Sequence, residues 1–308
     1  MNPVRLALVG MGKIARDQHL PAIAGNPAFI LAATVSRNEP GVDGVPHAKT
    51  LDALLATDAT FDAVVLCTPP QVRYGLAHLA LSRGYHVFLE KPPGATLSEV
   101  EALREEADKR GLTLFASWHS RYAPGVDPAR AWLADRKISR VSVTWREDVR
   151  VWHPGQTWIW QPGGLGVFDP GINALSILTH ILPHPFFLTE ATLSFPENCA
   201  APIAAMIQFR DVLNTPIAAD FDFRQTGPQS WDIEIETDAG ALKLSSGGAI
   251  LSLPSGNQIE KEREYPNLYA RFEALIRAGV SDVDVRPLCH VADAFLRGRR
   301  KTVEPFYD

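Results

Sequence analysis

The chain predicts an α/β fold: an N-terminal doubly wound Rossmann domain over residues 1–121, then an α+β domain over residues 122–308 on an open, mostly antiparallel sheet. Three observations predict it. Short apolar strands alternate with helices through the first third. A glycine-rich turn joins the first strand to the first helix. Beyond residue 181 strands follow one another with no helix between them.

Val4 to Val9 is an apolar run of the kind a strand buried on both faces requires. A helix from Lys13 to about Ala24, a strand Ile30 to Val35, a short helix Thr50 to Ala56 and a strand Ala63 to Cys67 follow. Val72 to Arg83 reads as a helix stopped by Gly84, and His86 to Leu89 as the next strand. Ser98 is read as the N-cap of a helix to Arg110, with Glu101 at capping-box spacing, and Leu112 to Ala116 closes the set. The second domain opens with a helix Val126 to Leu133 and a strand Val141 to Glu147. A loop rich in Trp, Gly and Pro spans Arg150 to Phe168, and a helix runs from about Pro170 to Ile181. Strands are then expected at Glu190 to Phe195, Ile203 to Phe209, Ile217 to Phe223, Trp231 to Glu236 and Ala241 to Leu244. In the fourth of these Trp231, Ile233 and Ile235 alternate with acids, the mark of a sheet with one wet face. Helices Leu268 to Ala278 and Pro287 to Arg297 end the chain, the last expected to pack back on the first domain.

Composition narrows the function. With 46% hydrophobic and 21% charged residues the chain is ordinary globular material. A net charge of −5, spread in both signs, lacks the basic face of a nucleic-acid partner. The one basic run, Arg297, Arg299, Arg300 and Lys301, reads as a helix end. No membrane span and no signal-peptide core is visible, so a cytoplasmic location is expected. Cys67, Cys199 and Cys289 have no metal-type spacing, and no metal is expected.

The first strand runs into Gly10-Met11-Gly12-Lys13-Ile14-Ala15, the G-x-G-x-x-A form of the dinucleotide fingerprint in its strand–turn–helix setting. Gly10 allows the tight turn, Gly12 lets the backbone approach a pyrophosphate, and Ala15 lets helix and strand pack closely. The second strand ends Thr34-Val35-Ser36-Arg37-Asn38, without the carboxylate that NAD sites place about twenty residues on. Ser36 and Arg37 suit a 2′-phosphate, which favours NADP, with NAD also accepted; Glu39 is the nearest acid. Thr68 and Pro69 follow the third strand at the carboxyl edge, where ligands of open α/β sheets bind. Glu90-Lys91-Pro92 follows the next strand at the same edge. A lysine held beside a nicotinamide can exchange a proton with a substrate oxygen; a surface lysine is the plainer alternative.

The Gly10–Ala15 turn, Glu90-Lys91-Pro92, the antiparallel-sheet domain and the ending Gly298-Arg299-Arg300 with Val303-Glu304-Pro305-Phe306 resemble the Gfo/Idh/MocA family of sugar and polyol oxidoreductases over nearly the whole chain. Within that family the chain is most similar to bacterial L-arabinose/D-galactose 1-dehydrogenases. The resemblance implies hydride transfer from the anomeric carbon of an aldose to NAD(P), giving a lactone, with Lys91, Asp169 and Asn173 as catalytic residues and Lys91 or Asp169 as the proton acceptor. The family usually shows a Gly-rich stretch and Asp-x-Gly-x-His; here Gly163 to Gly166 leads to Asp169-Pro170-Gly171-Ile172-Asn173. Asn173 stands in the histidine's place, and an amide is no general base. Asp169 and Asn173 are four residues apart, hence on one helix face, and Asp169 before Pro170 is also a natural N-cap.

Sugars offer apolar C–H faces to aromatic rings and hydroxyls to carboxylates or imidazoles. The expected sugar pocket is His119, Glu147, Trp152, His153, Asp169, Asn173 and Trp231. An open sheet leaves a homo-oligomer through that surface as the expected assembly.

Overall fold

The computed structural model describes residues 2–261 and 263–307. The first part of the chain forms β1 (Val4–Val9), a π-helical turn (Ala15–His19), α1 (Leu20–Ala24), β2 (Phe29–Val35), β3 (His47–Ala48), α2 (Leu51–Leu55), β4 (Ala63–Leu66), α3 (Pro70–Ser82), β5 (His86–Leu89), α4 (Leu97–Arg110) and β6 (Leu114–Ala116). Then follow α5 (Val126–Leu133), β7 (Ile138–Arg146), α6 (Val149–Trp152), a 3-10 turn (Thr157–Trp160), α7 (Phe168–Ile181), β8 (Phe186–Pro196), β9 (Ala204–Asp211), β10 (Pro216–Asp222), β11 (Ser230–Thr237), β12 (Gly240–Ser245), β13 (Ile250–Leu253) and β14 (Gly256–Ile259). The chain ends with α8 (Glu264–Ala278), α9 (Arg286–Arg297) and β15 (Arg299–Val303).

Two compact units result. One runs to His119 and takes in Tyr265–Val285; the other holds Ser120–Glu264 and the chain from Arg286 onward. Among the described residues the first unit has a parallel sheet of order β3-β2-β1-β4-β5-β6, the doubly wound Rossmann order. One face packs Val9, Val35, Leu66, Leu81, Leu89 and Leu103 into a continuous apolar layer. On the alternate positions Phe29, Phe88 and Phe115 meet Tyr269 and Phe272 of α8, with ring centroids 5.2–6.3 Å apart. Each of these fully buried rings contributes roughly 2–3 kcal/mol of transfer free energy.

Helix α8 thus belongs to the nucleotide-binding unit, whereas the last helix, α9, belongs to the second unit against β8 and α7. The expectation that the last helix joins the first unit is corrected: the aromatic stripe that suits that sheet lies on α8. Past α8, Asp282 N donates to Leu114 O at 3.0 Å and Ala116 N to Asp282 O at 2.9 Å, closing the edge of β6.

Local chemistry explains two further shifts. Thr96, not Ser98, caps α4: Thr96 is extended, its hydroxyl accepts from Glu99 N at 3.3 Å, and Glu99 Oε2 accepts from Thr96 N at 3.1 Å. The helix expected over Lys13–Ala24 opens into a π turn before α1. Pro21 lacks the N–H that would bond Asp17 and crowds that carbonyl, so the turn before it widens.

The second unit carries a sheet of order β14-β13-β12-β11-β7-β10-β9-β8-β15. It is mostly antiparallel, with β10–β7 and β15–β8 parallel. On β11, Ile233 and Ile235 are buried, while Glu234 and Glu236 face out; Lys243 of β12 lies 2.9 Å from both Asp232 and Glu234. The basic run is not one helix end: Arg297 closes α9, and Arg299, Arg300 and Lys301 form the start of β15.

Candidate functional site

In the first unit the turn after β1 meets the loop after β4. Gly10 has φ +93°, and a Cβ there would stand 2.9 Å from the Cys67 carbonyl carbon, so a side chain fits neither the conformation nor the space. At Gly12 a Cβ would meet nothing within 4 Å. That open space at Gly12, with the buried and unpartnered hydroxyl of Thr68 on the loop against Gly10, fits a dinucleotide phosphate approaching the backbone. Lys13 pairs with Asp17 on its own helix face, and Ile14 is 38% exposed. At the tip of β2, Ser36 Oγ accepts from Glu39 N at 3.1 Å, which fixes the turn. Arg16 donates to Pro40 O at 2.8 Å and ties the same turn to the glycine-rich segment. Arg37 is exposed, and its guanidinium is not committed to any carboxylate among the described residues.

The Glu90-Lys91-Pro92 tip is held by a buried polar network. Glu90 Oε1 accepts from Tyr265 Oη at 2.8 Å and faces His19 Nε2 at 3.0 Å, while Oε2 accepts from the Lys91 backbone N–H at 2.8 Å. His19 Nδ1 lies 2.8 Å from Tyr269 Oη. A carboxylate is acceptor-only, so His19 carries its proton on Nε2. Burial alone would push the Glu90 carboxyl up. The hydrogen bonds from His19 and Tyr265, with the nearby imidazoles of His19 and His119, outweigh burial and hold it at about 2. Arg73 donates to the carbonyls of Thr68, Glu90 and Pro92, binding the loop after β4 to the loop after β5. The Lys91–Pro92 bond is cis. His119 stacks on Tyr265 at 5.6 Å, within this unit.

The second unit brings together much of the expected sugar pocket. The backbone leaving β7 is zipped to that leaving β10, with Glu147 N donating to Asp222 O at 2.9 Å and Val149 N to Phe223 O at 3.0 Å. This fixes the buried Glu147, whose Oε2 accepts from Trp231 Nε1 at 2.9 Å. His153 Nε2 stands 3.4 Å from Oδ2 of the buried Asp169 and 3.9 Å from Glu147 Oε1. Trp152 and Trp231 rings lie 5.4 Å apart, both partly open to solvent. Asn173 follows Asp169 by one turn of α7 and is half-buried. Asp169 is not the helix cap: α7 starts at Phe168 with Val167 before it, so Asp169 lies in the first turn with its carboxylate turned to His153. Gly171 lets α7 sit on β10; a Cβ there would be 2.7 Å from the Phe221 ring.

Of the expected pocket, then, Glu147, Trp152, His153, Asp169, Asn173 and Trp231 belong to the second unit and His119 to the first. Sequence reading missed His19, Arg73 and Tyr265, which hold Glu90, and Gln156, which sits against His153. No spacing signals contacts across 71 or 175 positions. Only the short stretch between His153 and Trp158 gave a local cue for Gln156.

Known proteins show the same plan. The model of the family described as "Oxidoreductase family, NAD-binding Rossmann fold" matches residues 4–117. The chain is 48% identical to the galactose 1-dehydrogenase of Pseudomonas fluorescens over 100% of both chains. It superposes with a TM-score of 0.95 and 61% identity on the crystal structure of D-galactose-1-dehydrogenase from Rhizobium etli, covering 100% of this chain and 99% of that one. A 3-ketoreductase from Actinomadura kijaniata, in complex with TDP-benzene and NADP, shares the fold at a TM-score of 0.83 and 19% identity, with 98% and 100% covered. The chain belongs to the Gfo/Idh/MocA family and is an oxidoreductase built on an NAD(P)-binding Rossmann fold.

Proposed function

We propose that this enzyme is an aldose 1-dehydrogenase that oxidises C1 of D-galactose or L-arabinose to the lactone, using NADP in preference to NAD. The observation that carries the reading is Lys91. It stands at the carboxyl edge of the nucleotide-binding sheet, on a tip clamped by Glu90 and Arg73. Two full-length relatives that bear the name galactose 1-dehydrogenase support the substrate class.

When bound, the oxidised nicotinamide supplies the hydride acceptor. The C1–H bond breaks with its electron pair leaving carbon, the O1–H proton passes to Nζ of Lys91, and the C1–O bond becomes a carbonyl. Asp169 is the alternative acceptor. Asn173 and Glu147 hold ring hydroxyls, and Trp152 and Trp231 cover the apolar face of the sugar. Arg37 and Ser36 take the 2′-phosphate. Among the described residues no helix is long and apolar enough to cross a membrane. The reading adds a cytoplasmic location and a homo-oligomer through the outer face of the mixed sheet, where Phe187 and Met206 are exposed.

The test is reduction of NADP+ and NAD+ by a panel of aldoses, with wild type and Lys91→Ala. Galactose and arabinose are expected to lead the panel, and the variant to lose at least about 100-fold in kcat, the low end for a positioned proton acceptor. Near-normal turnover in Lys91→Ala would remove the lysine from the mechanism.

A further inference from the structure

In the loop between α6 and the Thr157–Trp160 turn, Gln156 lies against both His153 and Trp158. An indole N–H can only donate, so the Gln156 atom 3.2 Å from Trp158 Nε1 is the amide oxygen. The same oxygen lies 3.5 Å from His153 Nδ1. Two acceptors do not face each other, so Nδ1 carries a proton. The other ring nitrogen, Nε2, faces Asp169 Oδ2 at 3.4 Å and Glu147 Oε1 at 3.9 Å. The side chains of Asp169 and Glu147 are only 4% and 6% exposed. A bare lone pair at Nε2 would point at two buried anions. A second proton turns both contacts into attractions and offsets the cost of keeping two carboxylates ionised in one buried place.

Several groups face the ring. Asp169 comes from α7 and Glu147 from the end of β7, with its outer oxygen taken by Trp231 Nε1. Gln156 and Trp158 come from the ring's own loop, and Phe223 presents its ring edge at 5.7 Å. Of the next charges along the chain, Asp148 and Arg150 pair with each other at 2.9 Å.

We propose that His153 is doubly protonated in the resting enzyme and is a positioning residue: its imidazolium orients Asp169 and keeps it ionised. Asn173 cannot do this, because a neutral amide brings no charge to the carboxylate one turn before it. The kinetic consequence rests on the aldose reading above; the charge state does not.

The test therefore begins without substrate. Protein labelled with 15N in its histidines is observed by two-bond proton–nitrogen correlation at pH 7.5, and the His153 signal is identified by its loss in His153→Asn. Both ring nitrogens are expected to show the protonated signature. A neutral tautomer would overturn the proposal. In Asp169→Asn the ring is expected to lose its second proton at lower pH than in wild type; an unchanged titration would also count against it. His153→Gln keeps a donor and removes the charge. It is expected to lower kcat about 100-fold with galactose and to leave the KM for NADP+ unchanged. Normal turnover in that variant would remove the positioning role even if the ring is an imidazolium. If wild type oxidises no aldose while the ring is doubly protonated, the substrate reading fails and the charge assignment stands.

Discussion

Replacing Glu90 by Gln tests whether the carboxylate under Lys91 is a charged anchor. In the native protein it is held at about 2, against an ordinary 4.5. At 1.36 kcal/mol per pKa unit, that difference amounts to about 3 kcal/mol of stability at neutral pH. The sign follows from the direction. A depressed native pKa means the unfolded chain binds the proton first. The stability is therefore complete above the ordinary value and drains away as pH falls from about 5 towards 2. On these values about 1 kcal/mol is gone by pH 4 and about 2 kcal/mol by pH 3. Gln does not titrate. Its amide N–H₂ also faces the Lys91 N–H or the donors from Tyr265 and His19, which adds a cost independent of pH. Urea unfolding of both proteins, followed by circular dichroism at pH 7, 4 and 3, separates the two contributions. The gap between wild type and variant is expected to be at least about 3 kcal/mol at pH 7, and to narrow by about 2 kcal/mol at pH 3. A gap that keeps its width across this range would mean that Glu90 is not an ionised anchor, and the account of the Lys91 tip would fall.

Two other substitutions probe one unit each. Arg37→Ala is expected to raise the KM for NADP+ by at least about 10-fold, the loss of one charge-assisted contact, and to leave the KM for NAD+ unchanged; an equal effect on both cofactors would remove Arg37 from 2′-phosphate recognition. Gly171→Ala should cost about 1–3 kcal/mol by scanning calorimetry and lower activity, because its Cβ would press 2.7 Å into Phe221 and lift the helix that carries Asp169 and Asn173. Gly75→Ala on α3, with open space around its Cβ, is the control and is expected to be neutral or stabilising.

What the sequence disclosed was whatever is encoded locally. The alternation of apolar strands and helices gave the Rossmann sheet, because burial on both faces leaves a continuous apolar run in each strand. The two-residue period of Trp231 to Glu236 gave the wet-faced strand for the same reason. The edge strands β3, β14 and β15 escaped because they are short or polar, and their pairing partner decides their structure more than their composition does. The cap of α4 was misplaced by two residues because Thr96 and Ser98 are chemically equivalent caps, each with a Glu three positions on. In the candidate site, the glycine turn, the strand tips and the shared helix face of Asp169 and Asn173 could be placed from local pattern. His19, Arg73 and Tyr265 were not, since each acts on a partner that only the folded chain brings near. His153 was named from the sequence as a candidate, but its contacts with Gln156, Glu147 and Asp169 were not, since the last two meet it only in the folded chain.

The path of α8 has an evolutionary corollary. Because Tyr265–Val285 returns to the first unit, the nucleotide-binding half is not a continuous stretch of chain but one interrupted by Ser120–Glu264. Tyr265 braces Glu90, and Tyr269 and Phe272 fill the apolar layer beneath β5 and β6. A gene fragment ending near residue 121 would encode every glycine of the fingerprint and still lack a wall of its own interior. The intervening stretch carries Glu147, His153, Asp169 and Asn173, so those side chains can be varied while the returning helix stays in place.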